Sequence, residues 1–444
     1  MHRLRPTRSV LDIADRLESA GFEAWCVGGA IRDSLLGGAP LDWDLATSAH
    51  PEQVREIFGR KRTIPVGIEF GTVSVLDRDG VAHEVTTFRH DVQTDGRHAV
   101  VQFGASLDED LARRDFTINA IAYRPSTGEL RDPFGGRQDI EAGVVRAVGD
   151  AEQRMKEDRL RALRAIRFAA RYRFAIEPRT LTALTNSAPH LTRLSAERVQ
   201  QEIVKTLEQV HAPSEAFRLW KSTGALDVLV PALSGLDEIA FRTLDFLPRD
   251  GASGRHVAQR TVNRLAALCI DVAPSVAGAA LQGLRFSRHE VAWCVAMAER
   301  WQVLSGRLDV VLGGDRPSDV DVRRLLARLG RVYVGGVMRI ASARWDARRA
   351  AGLDAPSVAA VRALYRRLIR SRFADPIEVA DLAIGGEELR TAGIPPGPIY
   401  AKILQSLLER VLELPARNTP QALLAELPDV LAALQASPTI LPTH

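Results

Sequence analysis

The sequence predicts an α+β chain: a mixed head of strands and helices over residues 1–150, followed by a remainder built of helices. Three observations predict it. Short β-type runs bounded by Gly-rich turns fill the first third. Apolar residues recur at helical spacing almost everywhere after Arg154. The 444 residues exceed what one ordinary core encloses, so two to four domains are expected. A hydrophobic content of 46% with 26% charged residues belongs to a chain that folds.

In order along the chain, strands are expected at 23–27, 42–46, 71–76 and 82–88, with a helix at 51–58. Helices follow at 153–174, 196–209, 213–223, 258–270, 287–303, 319–329, 355–371, 375–382, 385–392, 398–414 and 420–436. Pro/Gly breaks at 248–254 and 306–317 read as joints. No run approaches the roughly 18 apolar residues of a membrane span, and the N-terminus lacks an apolar signal region, so a cytoplasmic protein with no membrane partner is expected. Cys26, Cys269 and Cys294 lie far apart without C-x-x-C spacing and read as buried small hydrophobes rather than disulfides or a zinc site. Net charge is only +4, but the basic residues are overwhelmingly arginine, whose planar fork suits phosphates and base edges.

The sharpest feature is Gly28-Gly29-Ala30-Ile31-Arg32-Asp33 after an apolar strand, followed by Asp42-Trp43-Asp44-Leu45. Two glycines at a strand-to-helix turn let backbone N–H groups approach a triphosphate, and Arg32 can join them. In a strand, Asp42 and Asp44 share one face, about 7 Å apart, while Trp43 and Leu45 point into the core. Such a pair can hold the divalent ions of phosphoryl-transfer chemistry. Glu84, on the strand at 82–88, can bring a third carboxylate. Alone, Asp-x-Asp is more often a solvated edge or turn; the Gly-Gly-x-x-Arg-Asp prelude reverses that balance.

These residues resemble motif A of the DNA polymerase β superfamily, in the form found in class II tRNA nucleotidyltransferases (CCA-adding enzymes) and bacterial poly(A) polymerases. The resemblance implies that Asp42 and Asp44 are Mg2+ ligands, that Glu84 assists catalysis, and that Gly28, Gly29 and Arg32 bind the triphosphate. Arg113-Arg114-Asp115-Phe116-Thr117-Ile118-Asn119-Ala120 resembles motif B, in which Arg114 contacts the nucleotide and Asp115 its ribose hydroxyl. The segment 157–168 resembles motif D. Read as one helix, it puts Asp158, Arg161 and Arg164 in a row opposite an apolar stripe of Leu160, Leu163, Ile166 and Ala170. A solvated charged face is the bland alternative. By the resemblance, Asp158 accepts from and Arg161 donates to the base edge, imitating a complementary base, and Arg164 and Arg167 support the triphosphate or hold that pair.

Residues 131–140 resemble motif C, a Gly-rich hinge, and 194–202 resemble motif E, with Ser195 as helix cap and a structural role. The resemblance implies a polymerase β-like nucleotidyltransferase head (1–150), then an all-α neck for base recognition (151–225), body (226–340) and tail (341–444). Near 384–404 the chain resembles the family's tail, where Lys402 near a helix start can grip an RNA phosphate; a plain connection between two helices explains the segment equally well. The implied reaction adds CCA to the 3′ end of tRNA from CTP and ATP. Residues 63–73 look like the tRNA-specific branch rather than the poly(A) branch. The loop 89–99 departs from the family's switch pattern at His98-Ala99, keeping a CC-only or A-only specialist in view. A catalytically dead RNA-binding protein is the non-enzyme alternative. The adjacent pair His90-Asp91 lies in the head, so no phosphohydrolase domain is expected in the helical half.

Overall fold

The computed structural model describes residues 4–40, 42–94, 99–247, 254–313 and 317–436. They divide into two units, Met1–Gly235 with Gly283–Arg285, and Leu236–Gln282 with Phe286–His444.

In the first unit, α1 (Arg8–Ser19) buries Val10, Ile13, Ala14 and Leu17, one face of a helix, and packs against β1 (Ala24–Val27). The sequence pattern assigned no helix here, although this spacing is its ordinary signal. After β1 come α2 (Gly29–Leu35), β2 (Asp44–Thr47), α3 (Pro51–Phe58), β3 (Thr63–Ile64), β4 (Thr72–Leu76) and β5 (Ala82–Thr87). A separate antiparallel pair, β6 (Arg89–Thr94) and β7 (Ala99–Phe103), precedes α4 (Leu107–Ala112), β8 (Ala122–Arg124) and β9 (Glu129–Arg131). The sheet runs β3-β4-β5-β2-β1-β8-β9. The β2–β5 pair is parallel and its other neighbours are antiparallel, which makes it a mixed sheet. Trp25, Val27, Ala46, Phe88, Leu111 and Ala122 fill one core, in which burying a side chain as large as Phe88 stabilises by about 1.5–3 kcal/mol.

The chain then runs through α5 (Gly136–Ala142), β10 (Val144–Val145), α6 (Ala151–Glu157), α7 (Leu160–Tyr172), β11 (Ala175–Ile176), α8 (Pro178–Ser187), α9 (Ala196–Gln209), α10 (Pro213–Ser222) and α11 (Ala225–Leu229). The expected hinge is tightly built. A Cβ at Gly136 would lie 2.1 Å from the Thr117 carbonyl oxygen, and buried Asp139 accepts from Thr117 Oγ1 at 2.6 Å and pairs with Arg146 at 3.1 Å. The helix expected over 153–174 is broken at Asp158. This residue is extended (φ −144°) and its carboxylate accepts from the Leu160 N–H at 3.0 Å, a side-chain bond that competes with helical pairing.

The second unit holds α12 (Glu238–Phe246), α13 (Gly254–Cys269), α14 (Pro274–Gly283), α15 (Arg288–Gly313), α16 (Asp319–Leu329), α17 (Val334–Ala350), α18 (Val358–Ala374), α19 (Gly386–Thr391), α20 (Ile399–Glu413), α21 (Pro420–Ala425) and α22 (Leu427–Ala436). Three expectations change. The joint expected from Gly306 is helix as far as Gly313. The helix expected at 375–382 shrinks to one 3₁₀ turn, because the Asp381 carboxylate takes the Ile377 and Glu378 N–H groups. The helix expected at 420–436 splits ahead of Pro428, which has no N–H to continue it. Cys26, Cys269 and Cys294 are buried free thiols. Among the described residues no helix is long and apolar enough to cross a membrane.

Candidate active site

Strand register assembles the acidic group. Trp43 and Leu45 are buried in the core while Asp42 and Asp44 turn away from it, Asp44 into a cleft, the alternation the sequence predicts, although β2 itself begins only at Asp44. In the parallel β2–β5 pair Leu45 sits opposite Val85, so Asp44 stands beside Glu84 on the adjoining strand, about 4.8 Å away by strand spacing. In the antiparallel β1–β2 pair Val27 faces Asp44, so the turn leaving β1 opens next to the carboxylates. Gly28 in that turn has φ +77°, and a Cβ there would come within 3.1 Å of the Arg114 guanidinium and 3.9 Å of the Asp44 carboxylate. Glycine meets both demands.

The cleft walls strip water from Asp44, and the Glu84 and Asp42 charges add repulsion. Against the pull of Arg114, its carboxyl is pushed up to about 6. An all-carboxylate donor set that repels itself fits a hard divalent cation such as magnesium. Among the described residues no three His, Cys, Asp or Glu side chains are gathered as a ready-made metal cluster. The fit is that of Asp44 beside Glu84, with Asp42 next along the chain.

A cavity of 610 Å³ opens on this group, and its lining comes from three directions. Gly28, Gly29, Arg32, Asp44, Glu84 and Thr86 come from the sheet and its first turn; Arg113, Arg114, Asp115 and Asn119 from the segment after α4; and Asp158, Leu160, Arg161, Arg164, Phe168 and Arg198 from the neck helices. Asp115 accepts from the Phe116 N–H and Asn119 Nδ2, both at 2.9 Å, and from Arg164 at 2.7 Å. Burial works to raise its pKa, but the Arg164 charge and these hydrogen bonds overcome it and hold the carboxyl below its ordinary value. Arg114 is braced by Asp110 at 3.2 Å and by the Asn119 carbonyl at 3.4 Å. Arg161 donates to Glu157 at 2.8 Å and to the carbonyls of Arg154 and Arg113 at 3.1 and 3.0 Å. Asp158 is gripped by Arg198 at 2.7 Å.

Of the residues singled out in the sequence, Gly28, Gly29, Arg32, Asp44, Glu84, Arg114, Asp115, Asp158, Arg161 and Arg164 line this cavity. Asp42 faces solvent beside it. Asp158 reaches the cavity from the break before α7 rather than from a helix face, and Leu160, expected in the apolar stripe, lines the cavity instead. Arg167 does not line it: only 4% exposed, it pairs with the equally sealed Glu202 at 2.7 Å. Lys402 stands exposed on α20 in the second unit. Residues 95–98 of the suspected switch loop lie outside the described residues. Sequence reasoning missed Arg113, Asn119, Phe168 and Arg198. Ser195 does cap α9 as expected, but Arg198 in the first turn projects to Asp158 rather than serving the helix alone. Its advance signal was its place in the first turn of the 194–202 segment, which was read as structural support only.

Residues 24–146 match the family described as Poly A polymerase head domain, and residues 173–236 the one described as Probable RNA and SrmB- binding site of polymerase A. A CCA-adding enzyme of Latilactobacillus sakei is 34% identical over 421 residues, covering 93% of this chain and 96% of its own. The chain belongs to the CCA-adding enzyme family. A second member, from Limosilactobacillus fermentum, is 34% identical over 431 residues, covering 96% of this chain and 97% of its own. The crystal structure of the Bacillus stearothermophilus CCA-adding enzyme in complex with CTP matches with a TM-score of 0.71 at 31% identity, covering 96% of this chain and 98% of that one. Family membership accounts for the mixed-sheet head followed by helices that the sequence predicts.

Proposed function

We propose that this chain completes the 3′ end of transfer RNA, adding C, C and A from CTP and ATP without a nucleic-acid template and releasing pyrophosphate. The observation that carries the reading is a single cavity lined by seven arginines and four carboxylates, with the Asp44–Glu84 pair at one wall and Asp158 and Arg161 at another. The excess of positive charge suits a triphosphate. The turn at Gly28 and Gly29, with Arg32 and Arg114, cradles the phosphates. Asp115 accepts from the ribose hydroxyl, for which its oxygens keep lone pairs beyond those used by the protein. Asp158 accepts from and Arg161 donates to the base edge, and Arg164 fixes Asp115. Asp42 and Asp44, with Glu84 assisting, would hold magnesium, which would supply positive charge to the triphosphate and to the attacking 3′ hydroxyl. Residues 1–150 are the catalytic head, 151–225 the base-reading neck, 226–340 the body and 341–444 the tail. The reaction runs in the cytoplasm, where tRNA matures.

The tail's partner is RNA backbone. On α18, Arg362, Arg366, Arg370 and Phe373 are exposed and fall within one narrow arc of the helix, which carries no acidic residue; Phe373 is 77% exposed. A row of guanidiniums ending in a bare aromatic ring suits phosphates and an unstacked base, and Lys402 adds a further charge.

The deciding experiment is incorporation by the purified chain on tRNA transcripts lacking CCA, ending in CC, or complete, with CTP, ATP or both. The Asp42→Ala/Asp44→Ala variant serves as control. Growth by C, C and A and no further, dependent on magnesium and abolished in the variant, is expected. Arrest after CC or growth only from CC would identify a specialist, and a long A tail on unrelated RNA would mark a poly(A) polymerase. Silence on every substrate would leave a non-catalytic RNA-binding protein.

A further inference from the structure

Arg32 is held from the neck, not only from its own helix. The residue is 4% exposed, and its Nε donates to Asp33 Oδ1 at 2.8 Å while another arm donates to Asn119 Oδ1. Beneath it lie two rings one helical turn apart on α7. The guanidinium carbon is 5.1 Å from the Phe168 centroid and 4.8 Å from that of Tyr172, and the two rings stack at 6.2 Å. Tyr172 also donates its hydroxyl to the same Asp33 Oδ1 at 2.8 Å, and Arg171 approaches Asp33 Oδ2 at 3.6 Å. One carboxylate oxygen thus joins the head arginine to the last residue of the neck helix that begins at the base-reading end of the cavity.

We infer that Tyr172 is a positioning residue for Arg32: through Asp33 it fixes the guanidinium over the Phe168–Tyr172 ring pair so that its free edge faces the triphosphate. The inference rests on the proposed role of Arg32 in binding phosphate. A guanidinium laid over rings keeps its in-plane donors but loses freedom to swing, which cuts the ordering cost of gripping a ligand. Burial, with the Asp33 charge beside it, pushes the Tyr172 phenol up to about 12 despite Arg32, so the hydroxyl stays a donor throughout the working pH range. The clamp touches only the phosphate side, so it should act alike on CTP and ATP.

The test compares wild type with Tyr172→Phe, which keeps the ring and removes one hydroxyl, and with Asp33→Asn. Steady-state kinetics are measured with CTP on tRNA lacking CCA and with ATP on tRNA ending in CC. Calorimetric binding of CTP and of inorganic tripolyphosphate is measured without turnover. Loss of one hydrogen bond, felt by the ligand only through Asp33 and Arg32 and so at no more than the net worth of an ordinary hydrogen bond, predicts KM for both nucleotides raised about 3- to 10-fold. It also predicts the same factor in tripolyphosphate affinity, kcat within about twofold, and KM for tRNA unchanged. A merely structural role would lower the melting temperature and kcat with KM and tripolyphosphate binding intact, and that result overturns the inference. So does a Tyr172→Phe protein with unchanged tripolyphosphate affinity. If Asp33→Asn folds poorly, Tyr172→Phe alone decides. Wild type silent on tRNA but binding tripolyphosphate would sink the CCA reading, while the calorimetry would still decide whether Tyr172 positions Arg32.

Discussion

Replacing Arg167 by methionine removes the partner of a carboxylate that has nowhere else to go. Glu202 is 1% exposed; Arg167 holds its Oε2 at 2.7 Å, and Lys205 approaches Oε1 no closer than 3.8 Å. Breaking a buried pair from one side typically costs about 3–5 kcal/mol, because the remaining charge is both desolvated and uncompensated. For a unit of this size each kcal/mol moves the melting temperature by about 2–4 °C, so a drop of roughly 6–20 °C is expected. Replacing both residues, Arg167→Met/Glu202→Met, should recover most of it, since the double variant leaves no orphaned charge. The assay is thermal unfolding followed by circular dichroism, paired with KM for CTP on the fraction that remains folded. A melting temperature within about 2 °C of wild type would refute the energetic reasoning. A large rise in KM at unchanged stability would show that Arg167 reaches the nucleotide after all.

Because burial and two like charges lift the Asp44 carboxyl to about 6, a proton competes with the cation below that pH. The half-saturating magnesium concentration should be level above about pH 7 and rise roughly tenfold per pH unit below 6; a flat profile down to pH 5 would exclude this origin. In the cation-free protein the same group stabilises the fold fully only below its ordinary value of 3.8, and that contribution is lost as pH rises through about 6. Urea titrations at several pH values read it. Arg198→Ala frees Asp158 from its grip, and discrimination between CTP and UTP in kcat/KM should fall by about tenfold; unchanged discrimination would reduce Arg198 to a helix residue. Changing Arg362, Arg366 and Arg370 together to glutamine should lower the salt slope of tRNA binding by about 2 to 3. Phe373→Ala should weaken binding by about 1–3 kcal/mol. A wild-type slope in the triple variant would remove α18 from the interface.

The site was more legible than the body. Asp44, Glu84 and Trp43 follow from strand alternation, a rule local enough to apply without a structure, and capping at Ser195 is equally local. What escaped was settled by distant partners. Asp158 looked helical because its neighbours keep helical spacing, yet its carboxylate takes the Leu160 N–H and Arg198, the latter 40 residues away. Arg167 was given the same supporting role as Arg164, and the presence of Glu202 on α9 is what distinguishes it. In the second unit α17 went unseen because it has no single apolar stripe. Val334, Val337, Met338, Ile340, Ala341, Ala343, Trp345 and Ala347 are all buried, around most of its circumference. A helix enclosed on several sides gives no one-faced periodicity to read.

On the proposed reading, base selection without a template requires a donor and an acceptor whose positions are set before the nucleotide arrives. Asp158 and Arg161 do not spend their hydrogen-bonding capacity on each other. Arg198 and the Leu160 N–H hold the carboxylate, while Glu157 and two backbone carbonyls hold the guanidinium. Each keeps capacity for a further partner: Asp158 retains a lone pair on Oδ2, and Arg161 has donated twice from Nη1 and once from Nη2, leaving its Nε–H and the second Nη2 hydrogen. The anchors also cross from neck to head, since the Arg113 carbonyl that receives Arg161 follows directly on α4 and Arg113 itself lines the cavity. A small displacement of the neck against the head would therefore move Arg161 relative to Asp158, changing the spacing of donor and acceptor. On the proposed reading that shift is the kind a pair reading first cytosine and then adenine needs, and the Arg113–Arg161 contact is where a head movement would reach the pair.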